Sequence, residues 1–146
     1  MVVLLTSSMS FSQNSIWKKI TNAEVTSQVL PRESHPSEFL LYTLNMEVLR
    51  EKLATAPSRN VVGQESSVIL PFPNPQGEMQ NFRIYEASIM HPELAARHPE
   101  IQSYIGLGME DKTAMIRFST TIFGLHTMTF SGRNGTSYID PYSQIL

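Results

Sequence analysis

The chain has 146 residues, 41% of them hydrophobic and only 16% charged, with a formal net charge of −2 and no cysteine. That length fits one domain with a real core, and the charge leaves no basic footprint for nucleic acid. The missing cysteine excludes a disulfide framework, a Cys-ligated zinc and a cysteine switch. Low charge with many Ser, Thr, Asn and Gln suits an exported β-rich domain better than a cytosolic helical one.

Residues 1–13 read MVVLLTSSMSFSQ. The apolar run Val2 to Leu5 passes into small residues, with Ser10 and Ser12 at the −3 and −1 positions of a cleavage site. This reads as the back half of a secretory signal peptide whose basic leader is missing. The run is far too short to span a membrane. Residues 14–37 form an N-terminal arm without a sustained period. Trp17, between Ile16 and Ile20, anchors it, and Lys18 and Lys19 face solvent. Prolines mark 31–36 as a loop.

Residues 38–57 allow a single helix from Pro36 or a strand followed by a helix. The second fits better. Phe39 to Leu44 alternates and is tolerant of β structure. Asn45 is a good N-cap. Met46, Leu49 and Leu53 then share a helical face with Val48 beside them, and Pro57 stops the run. Residues 66–87 give a hairpin. Its first arm holds Val68, Ile69, Leu70 and Phe72, and its turn is 73–77. Its returning arm holds Met79, Phe82, Ile84 and Tyr85. Phe82 and Ile84 alternate with Arg83 and Tyr85, so one face is core and the other meets solvent or a partner. Pro71 and Pro73 place the first arm at a sheet edge.

The stretch 81–118 gathers the chain's histidines, acids, prolines and glycines most densely. Pro92 starts a short helix to about His98. Pro99 starts a second turn through Gly106 and Gly108, which are expected in left-handed conformations. Residues 114–130 give two strands broken near Thr121 or Gly124. Ser131 to Gly135 gives a hairpin turn, with Asn134-Gly135 fitting type I′. Thr136 to Ile139 is the last strand. The expected fold is α+β: a mostly antiparallel sheet built from hairpins with two short helices packed on it, over residues 38–142, with a tail at 143–146.

No catalytic set stands out. His35, His91, His98 and His126 lack the spacing of a zincin helix, and no Ser elbow, P-loop or dinucleotide fingerprint occurs. His91 and His98 fit solvent or capping roles better than metal ligation. Glu86 fits an acid hydrogen-bonded to the next loop, and His126 a satisfied core or sheet-face histidine. Asn134-Gly-Thr136 is a turn before it is a glycosylation sequon.

The order of motifs resembles the N-terminal propeptide-like region of secreted bacterial metalloproteases of the reprolysin-like zincin type. The matching residues are Arg83 and Glu86 at a strand end, then Met90, Pro92, Glu93 and Leu94. Pro99, Glu100, Ile101 and Tyr104 follow, then Gly106 and Gly108. Gly124 and His126, and the closing Tyr138-Ile-Asp-Pro-Tyr142, complete the series. With the upstream LNMEVLREKLATAP the likeness covers about residues 38–142. The resemblance implies a secreted, periplasmic or cell-surface protein. It implies a non-catalytic pro-domain that assists folding of a zinc protease or keeps it latent by covering its cleft. The partner would be the cognate zinc metalloprotease domain, in cis or in trans, with no nucleic acid and no membrane span.

The HExxH protease domain of such proteins is absent from a chain ending at Leu146, so the reading is a fragment, a truncated product or a free-standing pro-domain. No cofactor is expected in this chain, zinc belonging to the downstream domain. The candidate partner-interface residues are Glu86, Met90, His91, Tyr104, His126 and Asp140. Of these, His126, Glu86 and Asp140 are the nominal candidates for a zinc ligand, since without cysteine only a carboxylate or histidine remains. The alternatives are an exported adhesion or ligand-binding module working through Tyr85, Tyr104 and His126, or a retained structural N-terminal domain. An enzyme in its own right fits least, for want of an acid–base pair or an activated nucleophile.

Overall fold

The computed structural model describes residues 15–25 and 36–142. The signal-like segment, the loop at 31–35 with His35, and the tail at 143–146 lie outside those residues. Strand accounts for 42% of the structure and helix for 14%, so the α+β domain is dominated by sheet.

Among the described residues, eight strands form two sheets. β1 (Trp17–Ile20) and β2 (Leu41–Leu44) make an antiparallel ribbon. β3 (Ile69–Pro73), β4 (Met79–Glu86), β5 (Gln102–Gly108), β6 (Met115–Thr121), β7 (Gly124–Ser131) and β8 (Gly135–Ile139) follow one another as a six-stranded antiparallel meander. β3 is one edge, as Pro71 and Pro73 require, because proline has no amide to give to a second neighbour. The sheet is curled.

Burial alternates strictly along the central strands. Phe82 and Ile84 of β4, Tyr104 of β5, Ile116 and Phe118 of β6 and Leu125 of β7 point to one face. They join Leu70 and Phe72 of β3, Trp17 of the ribbon, and Leu49 and Leu53 of α1 (Met46–Leu53) in one core. Trp17 and Phe72 pack with ring centroids 5.9 Å apart, and Tyr104 stacks on Phe118 at 5.1 Å. The Trp17 indole also donates to the Pro71 carbonyl at 2.7 Å, tying the ribbon to the β3 edge.

Local chemistry sets the element ends. Asn45 caps α1, its Oδ1 accepting from the Val48 amide at 3.2 Å. Asn74 closes the β3–β4 turn by accepting from the Gln76 and Glu78 amides, and Gly77 supplies the φ of +82° that the turn needs.

Four expectations need correction. The stretch after Pro99 is mostly strand: β5 spans Gln102–Gly108 at the middle of the sheet, so residues 81–118 supply a central strand and are more than a connector. Gly106 and Gly108 lie inside β5 without positive φ. At Gly106 a side chain would collide with Ile116, Ile84 and Phe82, so the glycine answers to core packing. The β7–β8 turn is not type I′, because among the described residues only glycines have positive φ and Asn134 is not left-handed. The chain turns through 132–134 and recovers at Gly135, φ +72°. Finally, α2 (Pro92–Arg97) buries none of its residues, so only α1 contributes to the core.

Candidate functional site

The curl of the sheet leaves a cleft of about 810 Å³ between the β1–β2 ribbon and β8. Five separate segments build it, Trp17 of β1 being one. Residues 36–46 form one wall, with Phe39, Leu40 and Tyr42. Residues 137–142 form the other, with Tyr138, Ile139, Asp140 and Tyr142. Pro73, Asn74 and Pro75 of the β3–β4 turn and Phe123 to Leu125 complete the lining. Phe39 and Tyr142 meet across it with ring centroids 5.9 Å apart.

The lining is aromatic, aliphatic and proline-rich. Phe39, Leu40, Phe123 and Tyr138 are all more than two-fifths exposed, Tyr138 at 67%. Apolar surface left open in a concavity is what a binding site presents. Among the described residues the carboxylates in the lining are Glu38 and Asp140, and no Lys, Arg or His lines it. At its floor the Tyr42 hydroxyl is out of solvent and, among the described residues, has no hydrogen-bond partner. Such groups are nearly always paired in folded proteins.

The two edges of the six-stranded sheet differ. β3 carries two prolines, and the Trp17 indole occupies the Pro71 carbonyl. β8 carries no proline and no charged residue. The Ile139 amide is directed at Thr127 of β7, at 3.1 Å from its Oγ1. By the alternation of antiparallel strands, the Thr136 and Tyr138 amides then point away from β7. Among the described residues β8 pairs with β7 alone.

The six candidate interface residues do not converge. Glu86 ends β4 opposite Tyr104 of β5. Its side chain is exposed, whereas its backbone pairs with the 57–59 loop through Pro57 and Arg59. Tyr104 is buried in the core, and its hydroxyl donates to Gln102 Oε1 at 2.6 Å. Burial, and then the Glu86 charge, push its pKa up. Met90 precedes α2, and His91 stands exposed at the start of α2 without a capping bond. His126 lies on β7, half-exposed, with Nδ1 3.3 Å from Asp140 Oδ1. Two pairs therefore form, Glu86 with Tyr104 and His126 with Asp140, and β6 runs between them. Of the six, only Asp140 lines the cleft.

Sequence reasoning missed Glu38, Phe39, Tyr42, Phe123, Tyr138 and Tyr142 as a set. The available signal was aromatic residues and prolines near turns, which locally reads as punctuation. Among the described residues, no group of three or more His, Cys, Asp or Glu side chains is placed to hold a metal ion. No helix among them is long and apolar enough to cross a membrane.

The opposite face of the sheet is also partly apolar. Ile69, Leu107, Met115, Met128 and Phe130 are exposed there, with Arg83 and Arg117 among them. This face reaches the same β8 edge, where Met128 and Phe130 lie opposite Tyr138 and Thr136.

No family model matches the chain, and no curated protein or solved structure matches it. The resemblance to metalloprotease propeptides thus rests on the order of sequence motifs alone.

Proposed function

We propose that this chain is a non-catalytic binding domain that takes an extended segment of a partner protein along the β8 edge and into the adjoining cleft. The observation that carries this reading is the contrast between the two sheet edges. β3 is closed by prolines and an indole, whereas β8 leaves the Thr136 and Tyr138 amides and carbonyls unpaired among the described residues, beside an apolar cleft. Natural sheets usually blunt such edges. A strand added there gains main-chain hydrogen bonds, and its alternate side chains enter the cleft, which supplies selectivity.

The propeptide resemblance supplies a specific instance. In it, the added strand belongs to a secreted zinc metalloprotease, and covering the protease's substrate cleft gives latency or folding assistance. Both readings share the same edge and cleft.

Amide hydrogen exchange tests the general reading. A blocked octapeptide library of alternating valine and threonine, scanned with phenylalanine, is added to the full chain. At least one peptide is expected to slow exchange at Thr136 and Tyr138 about tenfold or more, with little change along β3. Unchanged exchange at both amides with every peptide overturns the proposal. Tyr138→Pro removes one outward amide while sparing the pairing with β7, and is expected to abolish the protection. The protease instance has its own assay: the full chain is added in trans to a reprolysin-type zinc protease. Slower proteolysis or a higher refolding yield supports it, and neither effect removes that instance.

A further inference from the structure

The order of charge along the β8 edge bears on which strand covers it. β8 itself, Gly135–Ile139, carries no charge. Arg133 stands just before it, its side chain 75% exposed and reaching Asp111 only at 4.0 Å. Asp140 stands just after it, its side chain 43% exposed beside His126. A positive group thus precedes the strand and a negative group follows it. A second β8 running antiparallel meets these charges in the opposite order, whereas a parallel one meets like with like.

The outward backbone groups of β8 fit the same arrangement. Thr136 and Tyr138 are the residues whose amides and carbonyls face away from β7. With a two-fold axis at Ser137, Thr136 of each copy lies opposite Tyr138 of the other, and each such pair exchanges both main-chain hydrogen bonds. In the same register Asn134 comes opposite Asp140 of the other copy, with Arg133 beside it. On the outer face Phe130 lies across from Thr136 and Met128 across from Tyr138. The exposed side chains of Met128, Phe130 and Tyr138 from the two copies therefore form one continuous band over the junction.

We infer that β8 pairs with β8 of a second copy of this chain, antiparallel about Ser137, so that two six-stranded sheets become one. This rests on the strand-addition reading above and names the strand that is added. The β3 edge, closed by Pro71 and Pro73, gives the sheet no second site, so this pairing ends at two copies. Two short strands cover much less than the roughly 1,600 Å² of a standard interface, so the pair opens on dilution. Other extended segments then compete for the same amides.

Sedimentation of the full chain from low micromolar to millimolar concentration, with amide exchange on the same samples, tests this. The mass is expected to rise from 16.5 kDa toward twice that value and stop there. Exchange at Thr136 and Tyr138 slows in step, with little change along β3. Arg133→Asp and Asp140→Arg each bring like charges together at both ends of the pair and are expected to weaken it about tenfold or more. Mixed in equal amounts, the two variants restore opposite charges at both ends and associate with each other about as tightly as wild type. That rescue also shows both variants to be folded. A chain that stays monomeric, that associates without slowing Thr136 and Tyr138, or whose variants show no rescue on mixing overturns this inference. Octapeptides that protect those amides in the monomer then leave strand addition standing. If neither peptides nor a second copy slow them, both readings fall.

Discussion

Gly106 shows how tightly single positions in this sheet are fixed. A Cβ there would press on Ile116, Ile84 and the Phe82 side chain, all buried. Gly106→Ala therefore overpacks the middle of the core, at a cost of about 1–3 kcal/mol. A lower urea midpoint with an unchanged slope is the expected result, and an unchanged midpoint would mean that the neighbours yield freely. Tyr42→Phe should act in the opposite direction. It deletes a buried hydroxyl that has no partner among the described residues, so the free domain should gain about 1 kcal/mol. A loss of stability would show that the hydroxyl is hydrogen-bonded.

Asp111 provides the pH test at the same scale. Its carboxylate accepts from the Thr113 amide and hydroxyl and from the Ser131 hydroxyl, joining the β5–β6 connection to the β7–β8 turn. The Thr113 hydroxyl first, then the Ser131 hydroxyl, hold its pKa below the ordinary carboxylate value. A group with a depressed folded pKa stabilises the fold above its unfolded pKa, about 3.9, and loses that contribution as pH falls through the folded value. The difference in melting temperature between wild type and Asp111→Asn should therefore be widest at neutral pH and narrow below about pH 4. A difference that is constant from pH 7 to pH 3 would assign the effect to packing.

At the level of elements, the two helices separate cleanly by what they bury. Leu49 of α1 is almost wholly enclosed, so Leu49→Ala should cost about 2–5 kcal/mol. Leu94 of α2 is 46% exposed, and Leu94→Ala should stay within about 0.5 kcal/mol by chemical denaturation. The contrast was half legible in the sequence. Asn45, Leu49 and Leu53 announced α1 with its cap and its buried face. Pro92 announced a helix start at α2, but a proline start says nothing about what the helix packs against. The hairpin of β3 and β4 was legible because alternation, prolines and a turn holding Asn74 and Gly77 agree. β5 was not, because Gly106 reads locally as a corner, and only Ile116 on the next strand explains it. The cleft was illegible for the same reason: its lining is drawn from five distant segments, and no one of them is a motif.

For the whole molecule, the question is whether the ribbon and the meander are one cooperative unit. β1–β2 is a separate two-stranded sheet, and such a ribbon is at best marginal alone in water. It is held by burial of Ile16 and Trp17 in the same core as Phe72 and Leu49, and by the indole bond to Pro71. The cleft wall at Phe39 to Tyr42 exists only while that docking persists. Trp17 is the chain's single tryptophan, so its fluorescence reports ribbon docking, whereas far-UV circular dichroism reports mainly the six-stranded sheet. One shared core predicts coincident urea transitions by the two probes, as a two-state domain requires. A fluorescence transition at lower urea would instead mean that the ribbon undocks first. The cleft would then open by local unfolding, and an occupant strand would bind by capturing that opened form as well as by pairing with β8.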